Sequence, residues 1–275
     1  MKLYSKNQRP LDLSQPQVMG ILNVTPDSFS DSGKFLALDN ALYHAETMLK
    51  QGATIIDVGG ESTRPMADEV TLNQELDRVI PVVEAIRQRF DCWISVDTSK
   101  AEVMREAAKV GMDLINDIRA LTEDGALAAA VELDLPVCLM HMQGQPRTMQ
   151  HNPVYQDVVT EVLDWLLQRA KQCEQAGIRR ENVILDIGFG FGKTVEHNYQ
   201  LLNHLTRFVE TGYPVLIGLS RKSMIGNILD KPVDQRVIGS VAGALIAVMK
   251  GAQIVRVHDV EATVDALRIW QATIK

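Results

Sequence analysis

Eight short apolar runs punctuate this chain, and their alternation with helical stretches leaves few folds open. The runs occupy residues 18–22, 54–58, 93–96, 113–115, 136–140, 183–185, 215–219 and 254–257. They are rich in Val, Ile and Leu without polar alternation, as expected of strands covered on both faces. Between them apolar residues recur at helical spacing, as at Ala41, Leu42, Ala45, Met48 and Leu49. Thr71 and Asp157 open such stretches, and Gly52, Gly111, Gly177 and Gly251 close them just before or near the next run. Repeated strand–helix units in 275 residues predict an α/β protein with one (β/α)8 TIM barrel, a single domain over 1–275. The rival is an open doubly wound sheet, which the strand count disfavours.

Composition removes several function classes. Apolar residues make up 46% and charged residues 23%, which argues against disorder. The net charge of −7 disfavours a nucleic-acid partner, while leaving room for a local basic pocket that holds an anion. The first seventeen residues are polar and carry Pro10 and Pro16, so no targeting signal is expected. Residues 237–249 form the longest small-apolar stretch and fall short of the ~20 needed to cross a membrane. Cys92, Cys138 and Cys173 are far apart with no CxxC pair, so neither a zinc site nor a disulfide framework is expected, and a reducing cytoplasm fits.

A barrel of this kind carries its chemistry at the C-terminal ends of its strands. The residues there are Asn23 after the first run, Glu61 to Arg64 after the second, Asp97 after the third, and Asn116 and Asp117 at the fourth. His141 and Asp186 follow the fifth and sixth, Ser220, Arg221 and Lys222 the seventh, and Arg256 and His258 the eighth. A polar residue after a strand often only caps the next helix, which accounts for Asp and Asn. Cations do not cap helix N-termini, so Arg64, Lys222, Arg256 and His258 call for another reason. Asp97, Asn116 and Asp186 suit a flat heterocycle rich in N–H and C=O groups, and Arg64, Arg256 and His258 suit phosphate oxygens. Lys222 bridges the two halves.

Three segments are specific: Gly20-Ile-Leu-Asn-Val-Thr-Pro-Asp-Ser-Phe-Ser-Asp31, Gly59-Gly-Glu-Ser-Thr-Arg-Pro65 and Asp186-Ile-Gly-Phe-Gly-Phe-Gly-Lys193. With Ser220-Arg-Lys-Ser223 and Arg256-Val-His258, they make the chain resemble the dihydropteroate synthase family over nearly its whole length. That resemblance implies a pterin-binding barrel, usually a homodimer. It further implies condensation of a dihydropterin methyl diphosphate with 4-aminobenzoate (p-aminobenzoate) in folate biosynthesis, with Mg2+ assisting and sulfonamides as inhibitors. By the same resemblance, Asp97, Asn116, Asp186, Lys222, Arg256, Met140 and Gly218 bind the pterin. Asp97, Asp186, Lys222 and Arg256 among them are catalytic. Asn23, Arg64, Arg256 and His258 hold the diphosphate, Asn23 also meets the metal, and Thr63, Arg64, Pro65, Phe191, Ser220 and Arg221 surround p-aminobenzoate. The expected partners are these small molecules, with no nucleic acid and no membrane. A dissociative displacement needs no protein nucleophile, which fits the lack of a Ser–His–Asp or Cys–His pattern.

The chain departs from the family at three positions. Ser32 and Met66 stand where glycine is usual, in segments expected to be mobile loops over the substrates, and Ile187 stands where proline is usual. Loss of those glycines restricts φ, and Met66 adds bulk beside the p-aminobenzoate mouth, where it would alter sulfonamide affinity. Residues 188–194 suggest a phosphate loop, but Ile187 occupies the position that pattern reserves for glycine. The dinucleotide pattern fails at Lys193 and Val195. Three other readings stay open on the residues: a pterin-dependent methyltransferase, an aldolase using Lys222 as a Schiff base, and a paralogue that binds pterin without turnover.

Overall fold

The chain opens with an antiparallel hairpin, β1 (Lys2–Tyr4) paired with β2 (Pro10–Asp12), which no periodicity in the sequence announces. The structure is a computed structural model describing residues 1–5, 9–24, 33–61, 70–144 and 153–274, without the side chains of 33–36. The eight apolar runs are all strands, within two residues of their expected bounds: β3 (Gln17–Asn23), β4 (Ile55–Gly59), β5 (Trp93–Asp97), β6 (Leu114–Asp117), β7 (Val137–Met140), β8 (Val183–Asp186), β9 (Val215–Ile217) and β10 (Ile254–Val257). They pair in parallel and close as β10-β3-β4-β5-β6-β7-β8-β9, a (β/α)8 barrel.

The helices between strands begin and end where local chemistry dictates. Leu72–Arg89 starts at a capping box in which the Thr71 hydroxyl accepts from the Gln74 N–H and Gln74 answers the Thr71 N–H. Val158–Ala176 starts at Asp157, whose carboxylate accepts from the N–H groups of Val159 and Thr160. At the other end, Gly52 turns left-handed (φ 103°) and Ala53 N–H reaches back to Met48 C=O, closing the orphan carbonyls. The same five-residue reach-back ties Met112 to Ala107 and Ala252 to Ala247. These turns are the Gly–X pairs that precede strands in the sequence.

Parity along the strands sorts the side chains into two cores. Val18, Ile56, Ile94, Ile115, Val137, Leu185, Val215 and Val255 point outward and pack against the helices. Met19, Ile55, Trp93, Leu114, Cys138, Ile184, Leu216 and Ile254, one from each strand, point inward and form a closed layer across the N-terminal half of the barrel. Leu3, Leu11 and Leu13 of the hairpin complete that inner cluster from below. The Trp93 indole N–H donates to the Pro10 carbonyl at 3.3 Å, and Arg9 reaches the Cys92 carbonyl at 2.8 Å. The hairpin is therefore a plug, and the inner layer above it is free to be polar at the opposite mouth.

The plug is expected to act on stability alone. Leu11→Ala should cost about 3 kcal/mol, the scale of a buried leucine truncation that leaves a void. Urea unfolding that shows a loss below about 0.5 kcal/mol would mean that the hairpin is a loose appendage.

Candidate active site

Because side chains alternate across a strand, the next inward position lies two residues beyond the apolar layer. Counting up from Ile55, Trp93, Leu114, Cys138, Ile184, Leu216 and Ile254 gives Asp57, Ser95, Asn116, Met140, Asp186, Gly218 and Arg256. Two residues further on β5 lies Asp97, and β3 ends at Asn23, so that Asn23, Gly59, Asp97 and Asn116 stand in one line across four neighbouring strands. The polar groups thus share one barrel and one mouth because the strands share one register.

Arg256 is the hub. Its Nε donates to Asp57 Oδ2 at 2.6 Å and its Nη2 to Asp97 Oδ2 at 3.0 Å. Asp57 is fully buried and also accepts from the Asn116 amide, with 3.3 Å to each oxygen. Burial works against the Arg256 charge, but the attraction of Asp57 and Asp97 outweighs it and holds the guanidinium ionised. Burial pushes the Asp97 carboxyl above the usual carboxylate range, opposed by Arg256 and reinforced by Asp57 and Asp117. Burial likewise raises Asp186, opposed by Lys222 and by the hydrogen bond from Gly188 N–H at 2.8 Å.

Lys222 reaches across from the loop after β9. Its Nζ donates to the Phe189 carbonyl and stands 4.4 Å from the centre of the Phe191 ring. Burial pushes it down to about 8, assisted by the Arg256 charge and resisted by Asp186. Met140 and Phe191 pack together with Ile118 and Met142 as an apolar wall. Gly218 leaves room beside the Arg256 stem, whose Cβ and Cδ lie 3.9 and 4.0 Å from the position of an added Cβ. This apolar wall and the polar groups on the strand ends border one slot at the barrel mouth.

The other expected residues sit around this slot in different states. Ser220 is buried, and its hydroxyl lies 3.2 Å from His258 N–H and 3.1 Å from His258 Nδ1. Arg221, with φ 58°, turns its fork onto Asp259, with Nε 2.9 Å from that carboxylate. Asp117 does not face the slot. It is buried and closes a turn by accepting from Arg119 and Leu121 N–H groups and from the Ser99 hydroxyl, so here the capping role explains the residue. Glu61 is paired with Lys100 at 2.7 Å. His141 is buried, with its Nδ1 3.0 Å from Lys193 Nζ. Thr63, Arg64 and Pro65 lie outside the described residues, as do Ser32, Met66 and most of the two expected loops. Ile187 is fully buried in the outer core, where its side chain fills space among the helices.

Asp57 escaped the reading of strand ends because it lies in the middle of an apolar run. The parity count finds it: a carboxylate two residues above the apolar layer faces the barrel interior, where Arg256 on β10, one strand removed from β4, pairs with it.

Residues 19–258 match the model of a family described as pterin binding enzyme. The chain is 70% identical over 273 residues to the dihydropteroate synthase of Haemophilus influenzae, covering 99% of both chains. A crystal structure of Yersinia pestis dihydropteroate synthase with a sulfonamide drug complex superposes with a TM-score of 0.95 at 59% identity, over 100% of this chain and 99% of that one. The dihydropteroate synthase of Xanthomonas albilineans in complex with 7,8-dihydropteroate gives a TM-score of 0.90 at 46% identity, over 100% and 99%.

Proposed function

The chain belongs to the pterin binding enzyme family, and on that premise we propose that it carries dihydropteroate synthase activity, a transferase step of folate biosynthesis. It condenses (7,8-dihydropterin-6-yl)methyl diphosphate with 4-aminobenzoate to give 7,8-dihydropteroate and diphosphate. The observation that carries this reading is the inner polar layer: Asp97, Asn116, Asp186, Lys222 and Arg256 converge on one mouth beside the Met140–Phe191 wall. Relatives named dihydropteroate synthase over the whole length favour it over a corrinoid-linked methyltransferase or an aldolase.

In this reading the pterin lies in the slot, with Asp186 and Asn116 meeting its N–H and C=O edge and Lys222 donating to a ring acceptor. Arg256, His258, Asn23 and Arg64 hold the diphosphate. The C–O bond breaks with its electron pair leaving on the diphosphate oxygen. The methylene cation is stabilised by the electron-rich ring and by the negative potential of Asp97 and Asp186. The aniline nitrogen of p-aminobenzoate then forms the C–N bond and releases its proton. Thr63, Arg64, Pro65, Phe191, Ser220 and Arg221 surround p-aminobenzoate; for Arg221 to meet its carboxylate, the fork must leave Asp259.

A magnesium ion fits this site as a companion of the diphosphate. Asn23 Oδ1 and Asp97 Oδ2 lie 3.6 and 3.9 Å from the position of a Cβ on Gly59, so two hard oxygen donors face the same space. Such an ion would supply charge neutralisation to the leaving group.

On the helix Val237–Met249, Ile238, Ala242, Ile246 and Met249 form an exposed apolar stripe at helical spacing, which supports a homodimer through this face. The three cysteines are buried and unpaired, which supports a cytoplasmic setting. No helix among the described residues is long and apolar enough to cross a membrane.

Diphosphate release coupled to dihydropteroate formation tests the activity. The kcat/KM profile is expected to fall on the acid side as Asp97 and Asp186 protonate, at a pH above the usual carboxylate range. It is expected to fall on the alkaline side near 8 as Lys222 loses its proton. Lys222→Arg should remove the alkaline limb and Lys222→Ala should abolish turnover; an unchanged limb in Lys222→Arg would refute the role of the ammonium. Sedimentation velocity tests the assembly: a dimer should become a monomer in Ile246→Asp, and a dimer insensitive to that charge would move the interface elsewhere.

A further inference from the structure

One buried lysine has no part in the reaction just described. Lys193 follows the loop 188–192, is 2% exposed, and folds back beneath it. Its Nζ lies 2.9 Å from the Gly188 carbonyl, 3.0 Å from the Phe191 carbonyl, 3.3 Å from the His141 carbonyl and 3.0 Å from His141 Nδ1. Three carbonyl oxygens and a ring nitrogen therefore converge on one amine.

The loop above that amine is built to be held. Gly188 is left-handed (φ 70°), and a Cβ there would fall 1.9 Å from the His141 carbonyl, so the two backbones touch. Gly190 N–H donates to Asn198 Oδ1 at 2.8 Å, and the Tyr155 hydroxyl donates to the Gly192 carbonyl at 2.8 Å. Trp165 meets the His141 ring edge-on, with centroids 5.1 Å apart. Burial and the neighbouring Lys193 push the His141 imidazole down to about 2, so it stays neutral. Burial also pushes Lys193 well below its ordinary range. Either protonation state of the amine keeps two N–H donors for the Gly188 and Phe191 carbonyls.

What the loop presents upward is chemical. The Phe189 carbonyl receives Lys222, and the Phe191 ring lies under the Lys222 ammonium and against Met140. Without the amine, the His141 and Phe191 carbonyls would lose their donor in a buried space and the Gly188 carbonyl would keep only the Phe191 N–H, an arrangement that is costly unless the loop moves.

We propose that Lys193 is a positioning residue of the reaction: it gathers the carbonyls of His141, Gly188 and Phe191 and so fixes the loop that sets Lys222 and Phe191 against the two substrates. This inference rests on the synthase reading above. His141 belongs to the same device as the neutral wall against which the amine is held.

The test compares wild type with Lys193→Met, which keeps the stem and removes the donors, and with Lys193→Ala, from which three carbons and the amine are missing. Folded fraction is read by near-ultraviolet circular dichroism, and kcat and both KM values by dihydropteroate formation. Lys193→Met is expected to lose about 10- to 100-fold in kcat/KM per folded molecule, the scale of a misplacement of ~1 Å at a reacting centre. Lys193→Ala is expected to recover several-fold with propylammonium, which supplies the missing atoms, and not with tetramethylammonium, which has no N–H. Wild-type kcat/KM per folded Lys193→Met molecule would overturn the proposal, as would a folded Lys193→Ala indifferent to propylammonium. Should Lys193→Ala fail to fold, the methionine variant decides. Absence of turnover by the wild type in the same assay would sink the synthase reading, whereas turnover in wild type with unaltered variants sinks only the brace.

Discussion

One guanidinium between two carboxylates holds the working end of this barrel together. Asp57, Asp97 and Asp186 all point into a space largely closed to water, and an uncompensated carboxylate there would protonate or push the strands apart. Arg256 answers Asp57 and Asp97 directly, and the Asn116 amide completes Asp57. A buried pair is weak as a stabiliser but strong as a specification, because removing one member leaves the other stranded. Here the specification is geometric: the guanidinium plane, the amide of Asn116 and the Asp97 carboxylate keep fixed relative positions before any ligand arrives. That is the preorganisation on which charge stabilisation in a transition state depends.

The barrel separates the requirements for stability from those for chemistry along its axis. At the N-terminal end, eight inward apolar side chains and three leucines of the hairpin form a dry layer. At the C-terminal end the same strands, one pleat further on, deliver charges. The dry layer removes water from below the polar one, which strengthens every interaction in it. The loop 188–192 then carries the polar layer sideways to Lys222, and its own geometry rests on a lysine beneath it. Fold, charge network and loop form a single chain of dependence from Met19 and its neighbours to the Lys222 ammonium.

Much of this was legible in the sequence, for identifiable reasons. The eight runs gave the strands because a parallel strand covered on both faces has no polar positions to blur it. Thr71, Asp157 and Gly52 marked helix ends because capping is local chemistry that distant contacts do not alter. The hairpin was missed because strands of three residues carry no measurable period, and its role as a plug depends on contacts with strands far along the chain. Asp57 was missed because it is hidden inside an apolar run, where only strand parity and the partner Arg256, 199 residues away, reveal it. Asp117 went the other way: its position suggested the slot, but with two local N–H donors and the Ser99 hydroxyl upon it the carboxylate closes its own turn. Lys193 read as part of a glycine loop, since nothing local says that a lysine will be buried under carbonyls.

Arg256, Asp57 and Asp97 set the site's geometry ahead of substrate. The most direct measurement is isothermal titration of dihydropterin methyl diphosphate into Asp57→Asn, which keeps the shape and removes one charge. If Asp57 orients Arg256 and Asn116, affinity falls about 10- to 100-fold, the loss of one charge-assisted hydrogen bond or two, while circular dichroism stays that of wild type. Wild-type affinity in a folded Asp57→Asn protein would contradict the account and leave Arg256 positioned by Asp97 alone.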